Sequence, residues 1–194
     1  MNLIKKEFIA WPKIPRLINE NITITEKMNG TNACIIIEGG EVVGIQSRKR
    51  FIYPEGTEGQ PKGCDNAGFA GWVKANEDEL ITLGDGHHYG EWVGPAIQKN
   101  PHNLLEKRFY LFNTQRWGSQ GERCPSCCTS VRVLYVGENN KEVIKEAMEQ
   151  LWIDSVFEEY TPEGIIIFNH LAKNRYKVTY DNAKGKWNET SSNI

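Results

Sequence analysis

No run of apolar residues in this 194-residue chain approaches the ~20 that a membrane-spanning helix requires, so no membrane role is expected. An excess of positive charge is also missing. The 23 Lys and Arg are outnumbered by 25 Asp and Glu, giving a net charge of −2 and a pI near 6.1. No global basic field therefore points to nucleic acid, and any site for a polyanion has to be a local patch. Residues Met1 to Pro15 include Lys5 and Lys6 but lack an apolar stretch of signal-peptide length. A secreted disulfide framework is absent too: the cysteines number five, three of them crowded between Cys124 and Cys128. These absences leave a cytoplasmic, soluble protein as the expectation. With 39% hydrophobic residues, no internal repeat and no break in composition, one domain over residues 1–194 is expected around one sizeable core.

Short β-branched runs dominate what is present. Strands are expected at Ile22 to Thr25, Ala33 to Ile37, Val42 to Ser47, His88 to Trp92, Phe109 to Asn113, Arg132 to Val136, Glu163 to Asn169 and Tyr176 to Tyr180. Gly39-Gly40 reads as the loop of a hairpin, and Arg48 to Pro61, rich in charge, glycine and proline, as a longer loop. A helix is expected over Phe69 to Ile81, with Trp72, Val73 and Leu80 facing inward. The clearest helix is Asn140 to Trp152, where Val143, Ile144, Ala147, Met148 and Leu151 share one face. Met1 to Pro15 reads as an irregular cover, and the tail from Ala183 as polar and loosely held. The fold class is α+β, with antiparallel sheets and flanking helices.

Chemistry concentrates at strand ends. Lys27 follows the first strand, where apolar walls would disfavour its charge and leave a nucleophilic amine. Gly30, without a Cβ, would let a phosphate approach the backbone, and Thr31 and Asn32 add short polar groups. The plain alternative is an Asn29-Gly30 hairpin turn with Lys27 solvated. Ser47-Arg48-Lys49-Arg50 is either a solvated turn or an anchor for phosphate and ribose. Glu91 lies between Gly90 and Trp92 in an apolar strand and so needs an ion-pair partner or a ligand. Glu163 precedes Gly164-Ile165-Ile166-Ile167, where a carboxylate suits a divalent metal. Tyr176-Lys177-Val178 places a second lysine in a strand. Cys124-Pro125-Ser126-Cys127-Cys128 holds half of a zinc knuckle; only Cys64, His87, His88 and His102 could complete it, and an unmetallated cluster is the preferred reading.

The ordered set Lys27-Met28-Asn29-Gly30, Gly90-Glu91-Trp92-Val93-Gly94, Glu163-Gly164-Ile165-Ile166 and Lys177 resembles the motifs of covalent nucleotidyltransferases, the polynucleotide ligases and RNA-capping enzymes. Glu26-Lys27-Met28-Asn29-Gly30-Thr31-Asn32 is most similar to the T4 RNA ligase 2-like branch, with its pattern Glu-Lys-x-His-Gly-Thr-Asn, as is Gly94-Pro95-Ala96-Ile97-Gln98-Lys99-Asn100. The resemblance spans roughly residues 20 to 180. It implies a nucleotidyltransferase (ATP-grasp-like) adenylation domain that uses ATP with Mg2+ or Mn2+. Lys27 would take AMP, pass it to a 5′-phosphate RNA end, and allow a 3′-hydroxyl to seal the strand in RNA repair. By the same resemblance, Glu26 would contact the adenine edge and Phe112 stack on its face. Asn32, Arg48 and Glu91 would surround ribose and phosphate, Glu163 would support the metal, and Lys177 would balance charge on the α-phosphate. The substrate left open is a nicked duplex, an RNA–DNA hybrid or free RNA ends, and no protein partner is indicated.

Four departures from the pattern stand out. Asn29 replaces the histidine of the first motif. The fifth motif carries one lysine in Lys177-Val178-Thr179, the preferred register, or two basic positions if it runs Arg175-Tyr176-Lys177. Phe168 stands where the branch often has a lysine. The chain also stops soon after the fifth motif, so no separate C-terminal domain is expected. A capping-type guanylyltransferase, a DNA ligase and a non-catalytic nucleotide- or nucleic-acid-binding module are the competing expectations. Phe112 has a plain alternative as well, core packing in its strand.

Overall fold

The computed structural model describes residue 10 and residues 20–118 and 124–180. The expected irregular cover over Met1 to Pro15 and the polar tail from Ala183 lie outside the described residues. The strands are β1 (Asn21–Glu26), β2 (Thr31–Glu38), β3 (Glu41–Ser47), β4 (Gly86–Val93), β5 (Arg108–Leu111), β6 (Cys128–Ser130), β7 (Val133–Glu138), β8 (Gly164–Asn169) and β9 (Arg175–Thr179). They form two sheets, one of four strands in the order β7-β1-β8-β9 and one of five in the order β3-β2-β4-β5-β6. All pairings are antiparallel except β5 with β6. Among the described residues, no helix is long and apolar enough to cross a membrane.

Each sheet buries one face under helix. Helix α1 (Phe69–Ala75) sets Phe69, Ala70 and Val73 against Ala33, Ile35 and Ile37 of β2, Trp92 of β4, and Phe109 and Leu111 of β5. The rings of Phe69 and Phe109 lie 4.9 Å apart and those of Phe69 and Trp92 5.3 Å, the tilted and edge-on geometries aromatic quadrupoles favour. On the other sheet, Ala147, Met148 and Leu151 of the 17-residue helix over Lys141–Phe157 cover Ile22, Ile24, Ile165 and Ile167. The face expected from its period is the one buried. Asn140 caps this helix, its Oδ1 accepting from Val143 N at 2.8 Å. Asn140→Ala should cost about 1 kcal/mol, seen as a melting point lower by roughly 2–4 °C. An unchanged melt would mean that the bond contributes nothing.

The helix expected over Phe69 to Ile81 is broken. It is α1, a four-residue helix α2 (Glu77–Leu80), and a 3-10 turn over Ile81–Leu83. The break is at Asn76, whose side-chain amide donates to Trp72 O at 2.8 Å and so competes for the turn's own acceptor. The sequence reading also missed helix α3 (Thr114–Trp117) and β6, both too short to display a period. With these numbered, Lys141–Phe157 is α4.

β1 and β2 are not a hairpin. β1 pairs with β7 and β8, whereas β2 pairs with β3 and β4. Residues 27–30 therefore carry the chain from the four-stranded sheet to the five-stranded one. The chain returns between β6 and β7, through Val131 and Arg132, and Glu26 N donates to Arg132 O at 2.9 Å where the two crossings meet. Met28, Val93 and Val131 are buried together under this joint.

Candidate functional site

At the crossing, Lys27 N donates to Gly164 O at 2.8 Å, so the backbone of the first motif is hydrogen-bonded to the start of β8. That bond brings Glu163 to the lysine, with Lys27 Nζ 2.5 Å from Glu163 Oε2. Both side chains are partly exposed, at 21% and 25%. Lys27 therefore faces a carboxylate rather than the expected apolar wall.

Glu91 comes in from β4, which pairs with β2 so that Asn32 lies opposite Glu91. Asn32 Nδ2 donates to Glu91 Oε2 at 2.8 Å. Burial is the largest influence on Glu91 and pushes its carboxyl up to about 7, against the opposing pull of Lys27, the Gly30 amide and Asn32, with Glu163 adding to the rise. The folded state thus holds a proton between pH 4.5 and about 7 that the unfolded chain has lost, so this contribution to stability fades as pH rises through 7. Glu91→Gln, which has no proton to lose, should gain on the wild type by on the order of 2 kcal/mol between pH 4.5 and 8 in urea titrations. Parallel stability profiles for the two proteins would contradict this assignment.

Gly30 does not form an open cradle. A Cβ at Gly30 would meet Trp92 O at 2.3 Å, so the room left by the missing side chain is taken by the neighbouring strand. Glu26 is buried at 7% exposure beside His102 and Tyr160, and its Oε1 and the Tyr160 hydroxyl have no hydrogen-bond partner among the described residues. Burial raises its carboxyl above the usual range, opposed by the nearby Tyr160 hydroxyl and Arg132.

The remaining expected residues lie on other elements. Lys177 is exposed on β9, opposite Ile166, which in turn lies opposite Thr25 of β1. Arg175 alternates onto the same face as Lys177 and stacks its guanidinium 5.0 Å over the Phe168 ring. A second basic residue thus accompanies Lys177, which the register Lys177-Val178-Thr179 leaves out. Arg48 is exposed in the turn after β3. Phe112 follows β5, its N donating to Tyr89 O at 3.0 Å, and its ring is 39% exposed rather than core-packed.

Two residues here were not expected beside Lys27: His102 was considered only for zinc, and Tyr160 had no role in the sequence reading. His102 is buried in the loop after β4, where its Nε2 accepts from Asn29 N at 3.0 Å. Tyr160 stacks on that imidazole at 5.4 Å. The one available signal was the position of His102 just beyond Gly94 to Asn100. The histidines and cysteines considered for zinc are scattered: Cys64 donates to Tyr53 O, His88 bonds Gly84 O, and Cys127 and Cys128 are 3.9 Å apart. Among the described residues, no group of three or more His, Cys, Asp or Glu is placed to hold a metal ion by itself.

Comparison with known proteins bears on this geometry. No curated protein sequence matches the chain. Among solved structures, a lysine-to-alanine variant of Naegleria gruberi RNA ligase with ATP and Mn matches at a TM-score of 0.58 and 16% identity, over 89% of this chain and 53% of that one. A lysine-to-methionine variant of that ligase with AMP and Mn gives 0.57 and 16%, over 88% and 53%, and an apo aspartate-to-alanine variant 0.58 and 17%, over 88% and 52%. The chain spans about half the length of these structures, and at such identity the likeness establishes the fold. Beyond the fold, the sequence model described as RNA ligase matches residues 20–179, from the residue before β1 to the end of β9. Sequence pattern and architecture agree, and the chain belongs to the RNA ligase family.

Proposed function

We propose that this chain is an ATP-dependent RNA ligase of the T4 RNA ligase 2-like kind, acting on 5′-phosphate and 3′-hydroxyl RNA ends through a lysyl-AMP adduct on Lys27. The carrying observation is the 2.5 Å approach of Lys27 Nζ to Glu163 Oε2, with Glu91 in electrostatic reach of both. Three stretches far apart in sequence supply an amine and two carboxylates to one place. A nicked duplex or an RNA–DNA hybrid is the preferred substrate in this reading, and the cytoplasm its setting.

In the first step, Nζ attacks the α-phosphorus of ATP. The N–P bond forms, the bond from the α-phosphorus to the bridging oxygen breaks, and pyrophosphate leaves with its electron pair. Attack needs the free amine. Glu163 is the residue proposed to hold a divalent ion, a hard cation that prefers oxygen ligands. When bound, such an ion would supply positive charge beside the amine and offset the negative charge of the phosphates. Glu163 would then turn from Nζ, and the Nζ proton would pass to solvent water, leaving the free amine to attack. Lys177, with Arg175 beside it on β9, faces charge developing on the phosphate. Glu91 and Asn32 receive the ribose, Arg48 the phosphate or ribose oxygens, and Phe112 stacks on the base, its exposed ring supporting that role. Glu26 is the residue proposed to contact the adenine edge.

Incubation with ATP and Mg2+ or Mn2+ should raise the intact mass by one AMP. Nicked RNA, DNA and hybrid duplexes offered to that adduct then identify the acceptor. Binding of ATP with no mass shift under either metal would leave a nucleotide-binding module instead, and a preference for GTP would indicate capping chemistry.

A further inference from the structure

We infer that His102 is a positioning residue that clamps the Lys27 crossing against the Glu163 segment, so that amine and carboxylate are set together before nucleotide arrives. The inference rests on the proposed role of Lys27 and deepens it.

The clamp is built from one loop. His102 Nε2 accepts from Asn29 N at 3.0 Å, two residues beyond Lys27. The neighbouring Pro101 O accepts from Thr161 N at 2.8 Å, two residues before Glu163. One short stretch therefore ties the backbone on both sides of the Lys27–Glu163 pair. The loop is itself fixed: Asn100 Nδ2 donates to Leu104 O at 2.8 Å, and Leu104 N donates back to Asn100 Oδ1 at 3.1 Å. Its backbone has left-handed φ at Gln98, Lys99, Asn100 and Asn103, a costly conformation that persists where surrounding bonds enforce it.

The hydrogen bond also fixes the tautomer. Since Nε2 accepts from an N–H, the imidazole proton resides on Nδ1, which is 3.6 Å from Glu26 Oε1. Burial holds His102 neutral, its pKa pushed down to about 4 with Lys27 adding to the fall. One ring thus contacts the residues on either side of Lys27, and Tyr160 stacked on its face fixes the ring's tilt. The histidine that the Glu-Lys-x-His-Gly pattern carries at position 29 is Asn29 here, and an imidazole reaches that same backbone from another loop.

The test compares His102→Phe, which keeps the stack on Tyr160 but has no acceptor, with His102→Gln, whose carbonyl can take the Asn29 N–H. In single-turnover adenylylation, His102→Phe should be at least tenfold slower at saturating ATP, with the half-saturating ATP concentration changed less than threefold. His102→Gln should recover most of the rate. Hydrogen exchange at the Asn29 amide should quicken at least tenfold in His102→Phe and stay slow in His102→Gln. If His102→Phe does not fold, His102→Leu takes its place. Wild-type rate and protection in the Phe or Leu variant would overturn the inference, as would equal loss in the Gln variant, which would make the role one of packing. If the wild type forms no adduct, the ligase reading fails, while exchange at Asn29 still decides for or against the clamp.

Discussion

Lys27→Ala is expected to give a folded protein that forms no AMP adduct, with labelling from α-phosphate-labelled ATP lower by roughly a thousandfold or more. The size of the effect follows from the bond that is lost. Nζ is the atom proposed to join phosphorus, and Lys177 projects from β9, in a different strand, so it cannot take over from the crossing. Lys27→Arg should be equally inactive, because a guanidinium does not shed its proton near neutral pH. Stability should change little. The Lys27–Glu163 pair is partly exposed, and such pairs contribute about 0–1 kcal/mol. Alanine also keeps the backbone bond to Gly164 O. Melting points within a few degrees of wild type, measured beside the labelling, separate lost chemistry from lost structure. Persistent label on Lys27→Ala would place the nucleophile elsewhere and end the ligase proposal.

Gly164→Ala should be the most damaging single methyl in the molecule's candidate site. Gly164 has φ +142, and a Cβ there would lie 2.1 Å from Val178 O and 2.8 Å from Thr179 Cα. Both obstacles are backbone, so no rotamer change relieves them, and β8 and β9 have to part. Strain of this kind costs about 1–3 kcal/mol before the clash is counted. A melting point lower by roughly 5–15 °C is the expected result. Adduct formation should fall with it even below the melt, since Gly164 O holds Lys27 N and Glu163 is the residue before it. Gly40→Ala is the control. It too has positive φ, at +78, but nothing lies within 4 Å of its Cβ, so it should lose no more than about 1 kcal/mol and keep its activity. Similar melts for the two variants would show that the close packing of β8 on β9 is not what requires glycine.

Much of this architecture is legible in the sequence, and the failures have physical causes. α4 shows because one face of a 17-residue helix is apolar with a 3.6-residue period. Lys27 and Glu163 show because each borders a strand rich in β-branched residues, and Glu91 because it lies inside an apolar strand, where a charge needs a reason. The crossing between sheets does not show. Asn-Gly between two β-branched runs has the same local signature in a hairpin as in a passage from one sheet to another, and the difference lies in partners far along the chain. Gly30 illustrates the same limit: the sequence reveals a missing Cβ but not that the Trp92 carbonyl fills the gap. The place of His102 at the Lys27 crossing is invisible for a related reason. Its role depends on loop geometry and on a backbone N–H, and neither leaves a pattern in residue types.

The meeting of the two crossings, residues 27–30 and 131–132 held together by Glu26 N and Arg132 O, has a mechanical consequence. If the two sheets turn against each other about this joint, it serves as the pin of a door. A group mounted at the pin travels least while the far edges swing. AMP carried on Lys27, as proposed above, would then stay in register with Glu163, whose neighbour Gly164 is bonded to the Lys27 backbone.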